Sequence, residues 1–187
     1  MSGPHPLPAE LGPVLAFVNS VDVELGTDQW AEGPPALTAW MTGAGLLDAG
    51  VTVTADEFAL AGRLRAGLRE MTLANNGVPT DFDDLAVVLR AFPLIVSPGA
   101  GTLAGTHDGP VMAGLGTVVA GYATGLLTGA WTRMRQCPAG DCAWVFWDSS
   151  AKGTRRWCTM RVCGNRAKAR AFVERRRGAD PRLADPQ

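Results

Sequence analysis

All four cysteines of this 187-residue chain, Cys137, Cys142, Cys158 and Cys163, fall in one short window, as two C-x4-C pairs. Nothing upstream clusters chemically specialised side chains in this way, so the pairs constrain the fold first. A structural Zn2+ site takes four thiolate or imidazole ligands in a tetrahedron, and two short loops bring four thiols together at small local cost. A redox pair is ordinarily C-x-x-C, two residues tighter than either loop here. The first thirteen residues hold four prolines and no basic start or continuous apolar run, so no secretory leader is expected and the thiols are assigned to a reducing cytosol. One structural Zn2+ is the expected cofactor, with disulfides or a redox switch as the alternatives.

Around the pairs the sequence reads as knuckle, hairpin, knuckle and helix, in the manner of a treble clef. Residues 143–147 are a strand candidate, 148–153 a turn and 154–157 the returning strand. Alternation puts Trp144 and Phe146 on one face and Val145 and Trp147 on the other. So small a hairpin needs metal to stay folded. Residues 165–177 read as a helix with an apolar stripe of Ala169, Phe172 and Val173, of which Phe172 is expected to pack on the hairpin, leaving Arg166, Arg170 and Arg177 outward. Arg155, Arg156, Arg161 and Lys168 add to that basic set. Guanidinium groups suit phosphate forks and guanine edges. The tryptophans either stack on bases or fill the small core.

Charge divides the chain. Residues 1–131 carry four arginines and no lysine against thirteen acids, a formal −9, whereas residues 132–187 carry thirteen basic side chains against five acids, a formal +8. The polarity suggests a basic module aimed at a polyanion beside an acidic body, or docking of the two halves on each other.

The body reads as mostly helical. Helices are expected over 11–23, from Pro34 to the Gly43–Gly45 pair, from a Thr54/Glu57 capping box to about residue 74, and from a Thr80/Asp83 pattern through Leu89. Residues 22–33 read as loop. Residues 94–96 and 102–104 form a hairpin across a glycine-rich turn that lacks the lysine of a phosphate loop. Residues 109–132 carry no charge, yet their six glycines and four threonines favour a buried or interface helix over a membrane span. The Gly121/Gly125/Gly129 spacing suits close helix packing, and a homodimer through this helix is one expectation.

At Cys163, Gly164, Asn165 and Arg166 the chain resembles the CGNR zinc-finger family, through about fifty residues that include Cys137, Cys142, Arg156, Trp157, Cys158 and Ala167–Arg170. The order of elements over 11–131 is similar to the ABATE stress-induced regulator domain, which the helix around Phe17, Val18, Asn19 and Ser20 and the Leu37, Trp40, Gly45, Leu46 pattern also resemble. Ala16 and Ser20 depart from that pattern, which usually has Asp and Thr there. The resemblance implies a bacterial transcription regulator, with a DNA-binding finger and an N-terminal regulatory domain.

The expected fold class is therefore mainly α (α+β): a flexible lead 1–10, a helical regulatory domain 11–131, a zinc finger 132–177 and a flexible tail 178–187. The expected function is DNA binding through Arg155, Arg156, Arg161, Asn165, Arg166, Lys168, Arg170 and Arg177. Asn165 serves either a base edge or the knuckle backbone. An RNA-binding or protein-binding adaptor is the alternative. Asn19, Trp40 and Arg69 are candidate pocket residues for a small-molecule effector, and Arg69 alternatively pairs with an acid across the fold. His107 beside Asp108 is the only histidine outside the lead, so no catalytic residues and no enzyme are expected. A cytoplasmic, nucleoid-associated location follows from this reading.

Overall fold

The computed structural model describes residues 4–99 and 101–179, with side chains through Arg176. Six helices carry the architecture: α1 (Leu11–Val18), α2 (Pro34–Gly43), α3 (Ala55–Ala74), α4 (Asp83–Leu89), α5 (Pro110–Leu127) and α6 (Asn165–Ala179). Three two-stranded antiparallel ladders punctuate them: β1 (Val21–Asp22) with β2 (Thr27–Asp28), β3 (Leu94–Ser97) with β4 (Thr102–Gly105), and β5 (Met134–Gln136) with β6 (Val145–Trp147). The α+β class matches the expectation.

Local rules set most boundaries. Pro34 and Pro35 open α2. Thr54 and Glu57 form a reciprocal capping box on α3, worth about 1 kcal/mol. Two starts and stops differ from the sequence reading. Helix α1 ends at Val18, five residues early, because the Asn19 amide turns to the backbone of Val145 and the chain enters β1. Helix α4 begins at Asp83 without the expected Thr80 cap: the Asp81 carboxylate accepts the Asp83 N–H at 2.9 Å, while the Thr80 hydroxyl donates to the Val78 carbonyl.

The main core joins α1, α3 and α5, with Leu11, Val14, Phe17, Leu64, Leu68, Leu115 and Val118 fully buried. Phe17, Trp30 and Trp40 make a triangle of rings, at centroid separations of 5.2, 5.9 and 5.6 Å. Arg65 lies 3.8 Å over the Trp30 ring and forms a fork on Asp28 at 2.8 and 2.6 Å, closing the β1–β2 ladder onto α3.

Helix α5 is long and apolar enough to cross a membrane, and ten of its eighteen residues are buried inside the protein. Its glycines admit neighbours at backbone distance. A side chain at Gly121 would strike the Glu10 carbonyl and Val14, at Gly125 the Leu11 side chain, and at Gly114 the Leu46 carbonyl. The glycine face expected to serve a dimer therefore packs within the chain, against α1 and the turn after α2. Gly129 is not on that face; it terminates the helix at φ 74°.

The finger does not hang from the body. Met134 and Val145 of its ladder are fully buried in the main core. Helix α3 presents a polar row to it: Arg69 donates to the Val18 and Ala143 carbonyls, Asn75 to those of Trp131 and Met134, and Asn76 to that of Gln136. The lead joins the same seam, since Trp147 Nε1 donates to the His5 carbonyl at 2.8 Å. Residues 180–187 of the expected tail lie outside the described residues.

Candidate zinc centre and basic face

The ladder that carries the first knuckle is not the one read from the sequence. Strand β6 pairs with β5 upstream, in the register Met134↔Trp147, Arg135↔Phe146 and Gln136↔Val145, and residues 154–157 form no strand. The cause is Asp148. Its fully buried carboxylate accepts the Ser150 N–H at 2.9 Å, the Ser150 hydroxyl at 2.6 Å and the Arg155 N–H at 2.8 Å, which folds the chain into a compact loop. Arg133 donates to the Asp148 and Ser150 carbonyls, and Arg135 to that of Gly153. Desolvation opposes ionisation of Asp148, yet the Ser150 and Arg155 donors and the Arg135 charge bring its carboxyl below the ordinary value.

Both knuckles then point at one place. Cys137 leaves β5 with its N–H on the Trp144 carbonyl at 2.8 Å, and the Cys142 N–H returns to Ala139 at 2.9 Å. The chain turns out of this knuckle at Ala143, whose φ of 50° is the only positive value at a non-glycine among the described residues. Arg69 grips the carbonyl of this residue at 2.9 Å. The second pair frames a π-helical turn, Met160–Gly164, that runs into α6. Gly164 is buried against the Met160 side chain, whose thioether lies where a Cβ would be.

The four Sγ atoms lie within 4.8 Å of one another, with Cys142–Cys158 at 3.6 Å and Cys158–Cys163 at 3.5 Å. Thiolates about 2.3 Å from a tetrahedral Zn2+ stand about 3.8 Å apart, so the cluster fits one ion, and Cys137, Cys142, Cys158 and Cys163 are placed to bind it. Without a cation the thiols resist shared ionisation: burial pushes Cys142 up to about 11 and raises Cys163 as well. For Cys137 burial acts the same way, but N–H donors of Cys158 and Ala139 outweigh it and lower the value. A four-ligand closed set leaves no open position for chemistry.

The basic residues divide into three groups. Arg155 turns inward: its guanidinium donates to the Trp157 carbonyl at 2.9 Å and to that of Cys158, and it stacks on Phe146. Asn165 likewise serves the knuckle backbone, donating to the Arg161 carbonyl at 3.0 Å. Arg156, Arg161 and Lys168 are exposed. Arg166 and Arg170 are exposed but held by acids: Arg166 reaches Glu24 at 2.7 Å and Asp141 at 3.6 Å, and Arg170 reaches Asp141 at 2.8 Å. The Glu24 hydrogen bond and charge raise the Arg166 pKa further. The Arg177 side chain lies outside the described residues. Phe172, expected to pack on the hairpin, is about half exposed (55%), as is its neighbour Val173 (47%), because Val145 and Trp147 of β6 pack into the body instead.

Trp144, 36% exposed, lines a cleft of about 480 Å³ with Asp22, Glu24, Arg155 and Thr159, whereas Trp147 packs against the main core and Trp157 against the cysteines. Asn19, Trp40 and Arg69 are not brought together in a pocket. Asn19 is clamped on Val145, Trp40 belongs to the aromatic triangle, and Arg69 bonds carbonyls in place of the acid expected for it, with burial and the Arg65 charge lowering its pKa. Sequence reasoning missed Asp148, Glu24 and Asp141. The Asp148-Ser149-Ser150 run carries a turn signal that marks the first. No local signal marks Glu24, which lies 142 residues from its partner.

Comparison with known families agrees with this layout. The CGNR zinc-finger model matches residues 133–176. A search of curated proteins found no match. The ABATE family model, described as "putative stress-induced transcription regulator", matches residues 11–130, well over half of the chain. The chain thus belongs to the ABATE family and carries a CGNR zinc finger at its C-terminal end.

Proposed function

We propose that this zinc-finger regulatory protein binds duplex DNA through the outer face of α6 and the second knuckle, with Zn2+ as scaffold. One observation carries the reading. Arg166 and Arg170, one helical turn apart on the zinc-anchored α6, converge on the single carboxylate of Asp141 at 3.6 and 2.8 Å. Two guanidinium groups aimed at one anionic oxygen are arranged as they are on a phosphate, and Asp141 stands in for it. Arg156, Arg161 and Lys168 extend the basic surface toward neighbouring phosphates. Arg155 and Asn165 contribute by fixing the knuckle that aims Arg166.

Glu24 gives the N-terminal domain its regulatory role. It projects from the β1–β2 turn of the acidic body and holds Arg166, so a phosphate must displace a carboxylate that belongs to the protein itself. A second reading, a protein-binding adaptor, draws on the exposed Met160, Val162, Phe172 and Val173 beside the arginines.

The test is fluorescence anisotropy of the zinc-loaded full chain on random-sequence duplex, with single-stranded RNA as competitor. Binding whose log affinity falls with log salt at a slope near about −5 supports DNA contact through five or six phosphates. Salt-insensitive binding, no binding to any duplex, or complete displacement by RNA overturns it.

A further inference from the structure

We propose that the seam between the C-terminal end of α3 and the finger loop around residues 153–156 is a binding site for a small organic anion with an apolar body, an aliphatic or aromatic carboxylate. The seam borders an open cleft of about 680 Å³, within the range of about 300–1,000 Å³ usual for small-molecule sites. Leu73 and Val78 from the body and Pro138 from the first knuckle supply apolar wall, and Asn76 adds an amide. The charged groups in the lining are Arg135 and Arg156, and no carboxylate lines the cavity.

The protein compensates the two guanidinium groups unequally. Arg135 donates to the Gly153 carbonyl at 3.0 Å and makes a long ion pair with Asp148, its Nε 4.0 Å from the carboxylate and without a hydrogen-bond acceptor. The Asp148 oxygens are already taken by Ser150 and Arg155. Arg135 is thus positioned by the protein but only partly compensated. Arg156 has no ion pair among the described residues and lies 5.0 Å from the Trp157 ring centre. Two arginines over an apolar floor select a carboxylate attached to hydrocarbon. An inorganic anion would leave the Leu73 and Val78 wall facing water, and a neutral molecule would leave Arg156 without a counter-charge.

The site spans the body and the finger, so its occupant binds only the docked arrangement and stabilises it by mass action. It shares with the nucleic-acid surface Arg156 alone, and it stands whether or not the finger binds DNA.

Isothermal titration and thermal shift of the zinc-loaded full chain with benzoate and with octanoate test the site, with benzamide and inorganic phosphate as controls. At least one carboxylate should give saturable heat and a raised Tm, and both controls should give none. Arg156→Gln, an exposed position, should weaken binding about tenfold through loss of a charge-assisted pair. Val78→Trp, also at an exposed position, should fill the cavity and abolish it. Absence of binding by both carboxylates at millimolar concentration, equal binding of benzamide, or wild-type affinity in both variants overturns the proposal.

Discussion

The side-chain amide of Asn19 donates to the Val145 carbonyl at 2.7 Å and accepts the Val145 N–H at 3.0 Å. A side chain from the end of α1 thereby makes both bonds of a β-bridge to the outer edge of β6. Asn19 is 8% exposed and Val145 fully buried, so neither backbone group has water as a substitute. Asn19→Ala should lower unfolding stability by about 2–4 kcal/mol, the cost of a buried donor and acceptor left without partners. Urea unfolding followed by tryptophan fluorescence measures it. A loss within error of zero would mean that the finger docks without this clamp.

Removal of zinc reaches beyond the finger. The four thiols converge on one point, placed to bind Zn2+, while β5 and β6 contribute Met134 and Val145 to the main core. Chelation should reduce helical circular dichroism through α6 and lower the Tm of the whole chain, and acid should do the same as thiolates protonate and release the metal. An unchanged Tm after verified zinc loss would contradict the shared core.

Glu24 and Asp141 hold Arg166 and Arg170, the two arginines proposed to grip a phosphate. Glu24→Gln and Asp141→Asn should each raise duplex affinity several-fold at low ionic strength, with the gain fading at high salt as screening removes the competition. Unchanged or reduced affinity in both variants would remove the masking role.

Asp148 makes a pH prediction with a definite sign. Its folded pKa is depressed, so its stabilisation is complete above the unfolded value of about 3.9 and is lost as pH falls through the folded pKa. Asp148→Ala should cost about 2–4 kcal/mol at neutral pH, because three donors lose their acceptor. Asp148→Asn should lose less stability than wild type on acidification below pH about 4. Parallel acid-unfolding curves for the two proteins would refute the assignment.

Two helix glycines should respond oppositely to alanine. At Gly121 the new methyl meets the Glu10 carbonyl and Val14, so the α1–α5 contact must open, at a cost of about 1–3 kcal/mol. At Gly62 on α3 nothing lies within 4 Å, and alanine should stabilise by about 0.5–1 kcal/mol. Thermal unfolding of the two variants should move in opposite directions.

The sequence by itself determined whatever depends on near neighbours in the chain. The spacing of the cysteines announced one metal site, the Thr54/Glu57 box and the Pro34–Pro35 start set helix boundaries, and the apolar period of residues 55–74 set the length of α3. Each of these is decided within a few residues, by capping, φ restriction or loop length. The asymmetry of charge also forecast a basic finger beside an acidic body.

Only the tertiary structure decided which strand β6 would pair with and which residues face inward. The sequence reading placed the partner at 154–157, but β5 offers Met134 to the shared core, and Asp148 folds the other candidate away. It placed Arg155, Arg166 and Arg170 on one outward face, whereas the first braces the knuckle and the other two meet Glu24 and Asp141. It paired Arg69 with an acid, and the carbonyls of Val18 and Ala143 claim it instead. These outcomes turn on groups up to 142 residues apart. Desolvation in a packed core, where a buried donor left without an acceptor is costly, selects such partners, and that selection exists only once the chain has closed on itself.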